Sequence, residues 1–176
     1  MLKKYFHELM AWDLSLSNWV IKRRDQRTRK VFQVVTYLGS GYVWNFAYLI
    51  LFALGTDNIR AILMPVVFAE LLGLFAIIVL RNLIKRERPT AKTVCLVHLP
   101  WQSNSFPSHH ALRVSMLAPI FGTAYPSWLP SLVFGAAMVS VSRIYLERHY
   151  PLDVLAGSFI GLVCAWLVLF EPLASP

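Results

Sequence analysis

The chain predicts an all-α fold, a polytopic membrane bundle of about five spanning helices with an amphipathic helix lying at the interface ahead of them. Three observations predict it. Of 176 residues, 57% are hydrophobic and only 15% are charged, too little polar surface for an ordinary soluble domain. Five apolar runs, near 32–54, 60–83, 109–124, 128–146 and 153–171, are long enough or nearly so to cross a bilayer, which takes about 20 helical residues. Before them, Tyr5, Leu9, Trp12, Leu16 and Trp19 recur at alternating intervals of four and three, the stripe of an amphipathic helix over 5–20. The whole of 1–176 reads as one membrane domain, with 1–30 as interfacial helix and basic segment and 31–176 as the bundle that carries the site.

In chain order, the first helix interleaves its stripe with His7, Glu8, Asp13, Ser15 and Asn18. It fits either the membrane surface or a peripheral position packed on the protein itself. Lys22, Arg23, Arg24, Arg27, Arg29 and Lys30 follow as a basic block, and Arg81 to Arg88 hold another, within a net charge of +8. Both blocks sit beside apolar segments and suit anionic lipid head groups. Nucleic acid is not an expected partner, because no nucleic-acid module accompanies the charge. Lys3 and Lys4 are followed by Glu8 and Asp13 rather than by an apolar core and cleavage site, so insertion is expected from the first retained spanning helix. The third run has only 16 residues, roughly 24 Å of helix, and is expected to start in a local dip of the membrane or to sit with little tilt. Cys95 lies in a polar connection and Cys164 inside an apolar run, so both read as free thiols.

Counting crossings places three polar stretches on one face. Arg81 to Pro89 ends the second spanning helix, Pro107 to His110 opens the third, and Ser142 to Asp153 joins the fourth to the fifth. The opposite face receives the turns Gly55 to Asn58 and Tyr125 to Ser127 and the tail after Glu171. The long connection Thr90 to Phe106, with Pro100 and Trp101, reads as a lid or substrate-contacting loop on the active side.

Each stretch has a chemical and a plain reading. Arg81 and Arg88 are seven apart and would share a helix face that ends at Pro89; alternatively they anchor a helix end in head groups. Pro107 suits a first helical turn, aiming backbone N–H groups of Ser108 and His109 at an anion with His110 at the mouth as a proton donor; the alternative is an ordinary proline-started helix with surface histidines. The third stretch is the most specific. Ser142 and Arg143, His149 and Asp153 at set spacing arise by chance roughly once in 10⁵ starting positions. Pro151 reads as a helix start that puts Asp153 within reach of a ring nitrogen of His149, fixing its tautomer and leaving a nucleophilic second nitrogen. Arg143 completes a pocket of planar cationic donors suited to phosphate.

Together these stretches resemble the three-part signature of the type 2 phosphatidic acid phosphatase superfamily over residues 81–153. Arg81 stands where lysine is common, which keeps the charge, and His109 stands where glycine is usual, which puts a side chain into the phosphate cradle. The resemblance implies a metal-independent, cofactor-free hydrolysis in two steps. His149 attacks phosphorus to give a phosphohistidine, Asp153 orients and stabilises its ring, and His110 protonates the departing oxygen. Arg81, Arg88, Ser108, His109 and Arg143 hold the phosphoryl oxygens. His7 and His98 lack ligand spacing and read as structural or solvated.

A protein that binds or transports phosphate or phospholipid without cleaving it is the reading from another class, and His110, His149 and Asp153 argue against it. Overall the chain is similar to bacterial lipid A 1-phosphatases, which implies lipid A 1-phosphate as substrate; undecaprenyl diphosphate and phosphatidylglycerol phosphate are the alternatives. The resemblance also implies a multi-pass protein of the bacterial inner membrane with its site on the periplasmic or external face, whereas the positive-inside rule alone puts that face in the cytoplasm. Glu70 reads as a mid-membrane helix contact with a partner such as Asn45, or as a functional carboxylate. Gly157 and Gly161 let another helix approach closely, within the chain or between subunits.

Overall fold

A computed structural model describes residues 2–90 and 103–170. Among the described residues seven α-helices follow one another: α1 (Leu2–Lys22), α2 (Gln26–Val35), α3 (Gly41–Leu54), α4 (Asp57–Leu83), α5 (His109–Ala124), α6 (Leu129–Tyr145) and α7 (Pro151–Phe170). Helices α4 and α7, and α6 together with the 3₁₀ turn before it, are long and apolar enough to cross a membrane, and the bent pair of α2 with its 3₁₀ turn and α3 makes up to four. The expected third span, α5, has 16 residues, nine of them buried. It is the axis of the bundle, packed against α4, α6 and α7.

The run 32–54 does not form one helix. It breaks at a 3₁₀ turn, Thr36–Gly39, and the two halves meet at a bend of 48°. The reason is packing: a Cβ at Gly39 would stand 2.8 Å from Val139 and 3.0 Å from His110, so only glycine lets the turn press against α5 and α6. Helix α1 packs on the protein with its apolar stripe outward, which fits both of its expected placements. Its apolar stripe, including Tyr5, Leu9, Trp12 and Trp19, is exposed, while Asp13 and Ser17 are buried. The stripe faces outward, and Asp13 and Ser17 meet the protein, against α6 and α7, while Glu8, Ser15 and Asn18 stay exposed. Part of the basic block is structural, since Arg24 pairs with Glu147 at 3.0 Å and Asp25 caps α2 through the amides of Arg27 and Thr28.

The core joins α4, α5 and α7 through Val66, Ala69, Met116, Leu117, Ile120, Cys164 and Ala165. Cys164 is a free thiol, and Cys95 lies outside the described residues, as do His98, Pro100, Trp101 and the tail from Glu171. The Gly157 and Gly161 contact is internal: a Cβ on either would lie 2.3 Å from the Ser108 carbonyl oxygen or 2.1 Å from that of Leu112. Glu70 pairs not with Asn45 but with Arg113 of α5, through Nε to Oε1 at 2.5 Å and Nη2 to Oε2 at 2.9 Å, and accepts from the Tyr48 hydroxyl at 3.2 Å. The sequence reading missed Arg113 because nothing local ties it to a residue 43 positions earlier.

Because the clash at Gly161 is with backbone, Gly161→Ala is expected to force α5 and α7 apart and to destabilise the protein by about 1–3 kcal/mol. Thermal melting in detergent measures this; an unchanged melting temperature would rule out the close approach.

Candidate functional site

Helix ends deliver the three polar stretches to one place. Arg81 lies in the last turn of α4, and the helix stops at Leu83. Arg88 is therefore in the following loop and does not share a helix face with Arg81, a correction to the expected two turns. Two features end the helix early: Pro89 disfavours helical geometry before it, and the intervening Arg86 accepts the Ser105 N–H on its carbonyl at 2.7 Å. The Arg81 guanidinium donates from Nη2 to the Pro107 carbonyl at 3.0 Å, and its own carbonyl accepts from the Asn104 amide at 2.8 Å. Arg88 reaches the carbonyls of Arg148 and Asn104 at 3.4 and 3.5 Å.

Helix α5 begins at His109 with Ser108 as its N-cap residue, so Pro107 lies just outside the helix rather than in its first turn. The Ser108 N–H is engaged by the Asp153 carbonyl at 2.9 Å and is not free to bind an anion. Its buried hydroxyl has no partner among the described residues. That hydroxyl is the group Ser108 can offer a ligand. His109 Nε2 lies 3.4 Å from Arg113 Nη2; because guanidinium only donates, Nε2 accepts and the ring proton sits on Nδ1. His110 is within electrostatic reach of Arg143 and His149.

The third stretch folds back on itself. After α6 ends, the Arg143 carbonyl accepts the amides of both Arg148 (2.9 Å) and His149 (3.2 Å), with Glu147 at φ 55° making the reversal. This sets the five-residue spacing between Arg143 and His149. Arg143 donates from Nη1 to Thr36 Oγ1 at 2.6 Å, a contact supplied by the 3₁₀ turn. Ser142 bonds back to the Val139 carbonyl at 2.5 Å, so its role in the motif is local. Helix α7 starts at Pro151 with Asp153 in its first turn, as the sequence implies.

Asp153 is fully buried. Its Oδ2 accepts the Tyr150 N–H at 2.9 Å and its Oδ1 accepts from Arg86 Nη1 at 2.8 Å. His149 Nδ1 is 3.6 Å from Oδ2, longer than a hydrogen bond and short of the contact expected from sequence. Burial first, then the positive charges of Arg143, Arg88 and Arg81, hold the His149 imidazole well below its ordinary value of 6.5. The ring is neutral at pH 7, with a lone pair available. Sequence reasoning overlooked Arg86, Asp13 and Thr36; an aspartate set between Trp12 and Leu14 in the amphipathic stretch was a signal for the second of these.

The sign of the pH effect follows. The folded pKa of His149 lies below the unfolded value, so its contribution to stability is complete above about pH 6.5 and is lost as pH falls through that value toward the folded one. Replacing it by His149→Asn is expected to flatten the loss of stability between about pH 6.5 and 5, by at most about 1.4 kcal/mol per pH unit. Melting curves of the two proteins across that range measure the difference.

Comparison with known proteins gives the same constellation a family. The chain is 45% identical over 58 residues to an undecaprenyl-diphosphatase of Sulfolobus acidocaldarius, a match covering 32% of this chain and 28% of that protein. It spans less than two thirds of the length of the curated relatives it matches. Solved structures match more fully. The crystal structure of Aquifex aeolicus LpxE superposes with a TM-score of 0.73 at 26% identity, over 89% of this chain and 93% of that one. A transmembrane PAP2-type phosphatidylglycerolphosphate phosphatase from Bacillus subtilis gives 0.71 at 25% identity, over 96% and 88%. Residues 62–170 match the family model of the PAP2 superfamily, and all three stretches of the site fall inside or pack against that span: the chain belongs to the PAP2 superfamily.

Proposed function

We propose that this protein hydrolyses a phosphate group from an anionic membrane lipid through a phosphohistidine at His149. The observation that carries the reading is the buried, neutral His149 beside three guanidinium groups, with the Asp153 carboxylate on its Nδ1 side. A carboxylate on that side keeps the proton on Nδ1 and leaves Nε2 to attack phosphorus. The N–P bond forms as the P–O bond to the lipid breaks, and His110 gives its proton to the departing oxygen. Water then attacks the phosphohistidine and releases phosphate, with His110 taking a proton back. Arg81, Arg88, Arg143, the Ser108 hydroxyl and His109 Nδ1–H stabilise the phosphoryl oxygens as charge develops. The 3.6 Å gap between His149 and Asp153 suits a resting site, since such contacts tighten in the complex.

A lipid substrate is supported by where the site lies, at the ends of membrane helices with a fringe of exposed aromatic residues on α1. Lipid A 1-phosphate is the first candidate, with the likeness to LpxE over most of both chains behind it. Undecaprenyl diphosphate and phosphatidylglycerol phosphate are supported by the other relatives. The three lipids assayed side by side rank them. Binding or transport without hydrolysis is the weaker reading, because it leaves a neutral buried imidazole beside a carboxylate without a purpose. We place the protein in the bacterial inner membrane with the site on the external face. The external placement rests on the family resemblance, against the count of Lys and Arg on this face.

His149→Ala and His110→Ala are each expected to lower turnover by at least about 10³-fold while the protein still inserts and melts as a folded chain. Phosphate release by the purified variants measures this, and unchanged hydrolysis by either would remove that residue from the mechanism.

Metal dependence is a separate test. With guanidinium groups supplying the positive charge, EDTA is expected to leave at least half of the activity of the purified protein. Loss that only a divalent cation restores would contradict this.

A further inference from the structure

A second charged assembly stands behind the site, and no motif of the sequence announces it. Arg86 donates from Nη1 to Asp153 Oδ1 at 2.8 Å, while its Nη2 pairs with Asp13 Oδ2. The other oxygen of Asp13 accepts the Leu152 N–H at 2.8 Å. That amide belongs to the first turn of α7, where backbone donors lack partners within the helix. Asp13 thus caps α7 from another helix and holds Arg86 at the same time. Both carboxylates are fully buried. The guanidinium plane is fixed as well, since it lies 4.1 Å from the centre of the Tyr150 ring.

We propose that Asp13 and Arg86 are positioning residues for hydrolysis, forming a buried Asp13–Arg86–Asp153 bridge through which the N-terminal helix sets the orientation of Asp153 toward His149. The inference rests on the reading of His149 as nucleophile. The two oxygens of Asp153 serve several neighbours, among them Arg86, the Tyr150 amide and the His149 ring. Its Oδ1 is committed to Arg86, and Oδ2 both accepts from Tyr150 and faces His149. An arginine free to close on one carboxylate takes both of its oxygens in a two-pronged pair, which would turn Oδ2 away from the imidazole. Asp13 prevents this by occupying the second prong. It also shares the positive charge, so that Asp153 keeps enough negative character to stabilise a ring that becomes cationic. Neither residue touches phosphate in this scheme. Their loss should therefore act on kcat and leave KM largely alone.

A strut that merely fastens α1 would behave differently, and the experiment separates the two. Full-length protein in detergent is assayed by phosphate release from phosphatidylglycerol phosphate, undecaprenyl diphosphate and lipid A 1-phosphate, using whichever is turned over fastest. Asp13→Asn keeps the size and one acceptor for Leu152 but loses the charge. It is expected to lower kcat by about tenfold or more with KM within about twofold, and to add no further loss in an Asp153→Asn background, because it acts through that carboxylate. Unchanged kcat, or a full additional loss on top of Asp153→Asn, overturns the proposal. Should Asp13→Asn not fold, Arg86→Lys serves: lysine keeps the charge but cannot span both carboxylates, so the same loss of kcat at constant KM is expected and normal kcat overturns it. His149→Ala is run in parallel. If it retains turnover, the nucleophile assignment falls and this proposal with it; if it is inactive while Asp13→Asn and Arg86→Lys are normal, the proposal alone falls.

Discussion

Everything in the site depends on how closely α5 and α7 approach. Asp153, Gly157 and Gly161 are spaced by four and share one stripe of α7, and Ser108 and Leu112 at the start of α5 have the same spacing. The two stripes meet backbone to backbone: a Cβ on either glycine would overlap the Ser108 or Leu112 carbonyl oxygen. At that separation the Ser108 amide reaches the Asp153 carbonyl. The second and third motifs are therefore joined through main chain, and the side chains of Ser108, His110 and His149 are left to the pocket between them. A larger residue at position 157 would not only open the core but part the two halves of the site.

Burying charge in such a place is costly unless each group is matched, and the molecule solves this in two ways. Behind the pocket the charges are paired within the protein, Arg86 with Asp13 and Asp153, and Arg113 with Glu70. These groups hold geometry. Within the pocket Arg81, Arg88 and Arg143 raise a positive field that acts on His149, and an anionic phosphate entering there would meet charge already in position. The Glu70 and Arg113 pair also reaches the pocket through His109, whose Nε2 faces Arg113. A histidine where the family usually has glycine is thus held by a mid-membrane ion pair rather than left loose.

Much of this was legible in the sequence, and what was not shares a physical cause. The three motifs come together at helix ends because each lies where an apolar run begins or stops, and Asp153 in the first turn of a helix opened by Pro151 and Arg143 near His149 follow from spacing within a short stretch. The break at residues 36–41 was written as Gly39-Ser40-Gly41, but in an apolar run that signal was outweighed by hydropathy. Arg88 left the helix because Arg86, two residues earlier, is drawn to Asp13 and Asp153, 73 and 67 positions away. Pairings at that distance leave no periodicity to read. The Arg113 and Glu70 pair escaped for the same reason, and a guess at Asn45 went to a residue on the neighbouring helix instead.

The N-terminal helix shows why amphipathic patterning needs its solvent specified. In water an apolar stripe turns inward to a core. Here Trp12 and Trp19 face outward, and Asp13 and Ser17, between them in sequence, are buried. An apolar surrounding suits such an outward stripe, and indole rings prefer the depth where head groups begin. The same helix delivers a carboxylate to the first turn of α7 and to Arg86. The helix that carries the aromatic fringe is thereby joined to the charged residues behind the candidate site. On the proposed reading, a lipid would bring its phosphate to these helix ends while its chains stay among the exposed apolar residues of the outer helices.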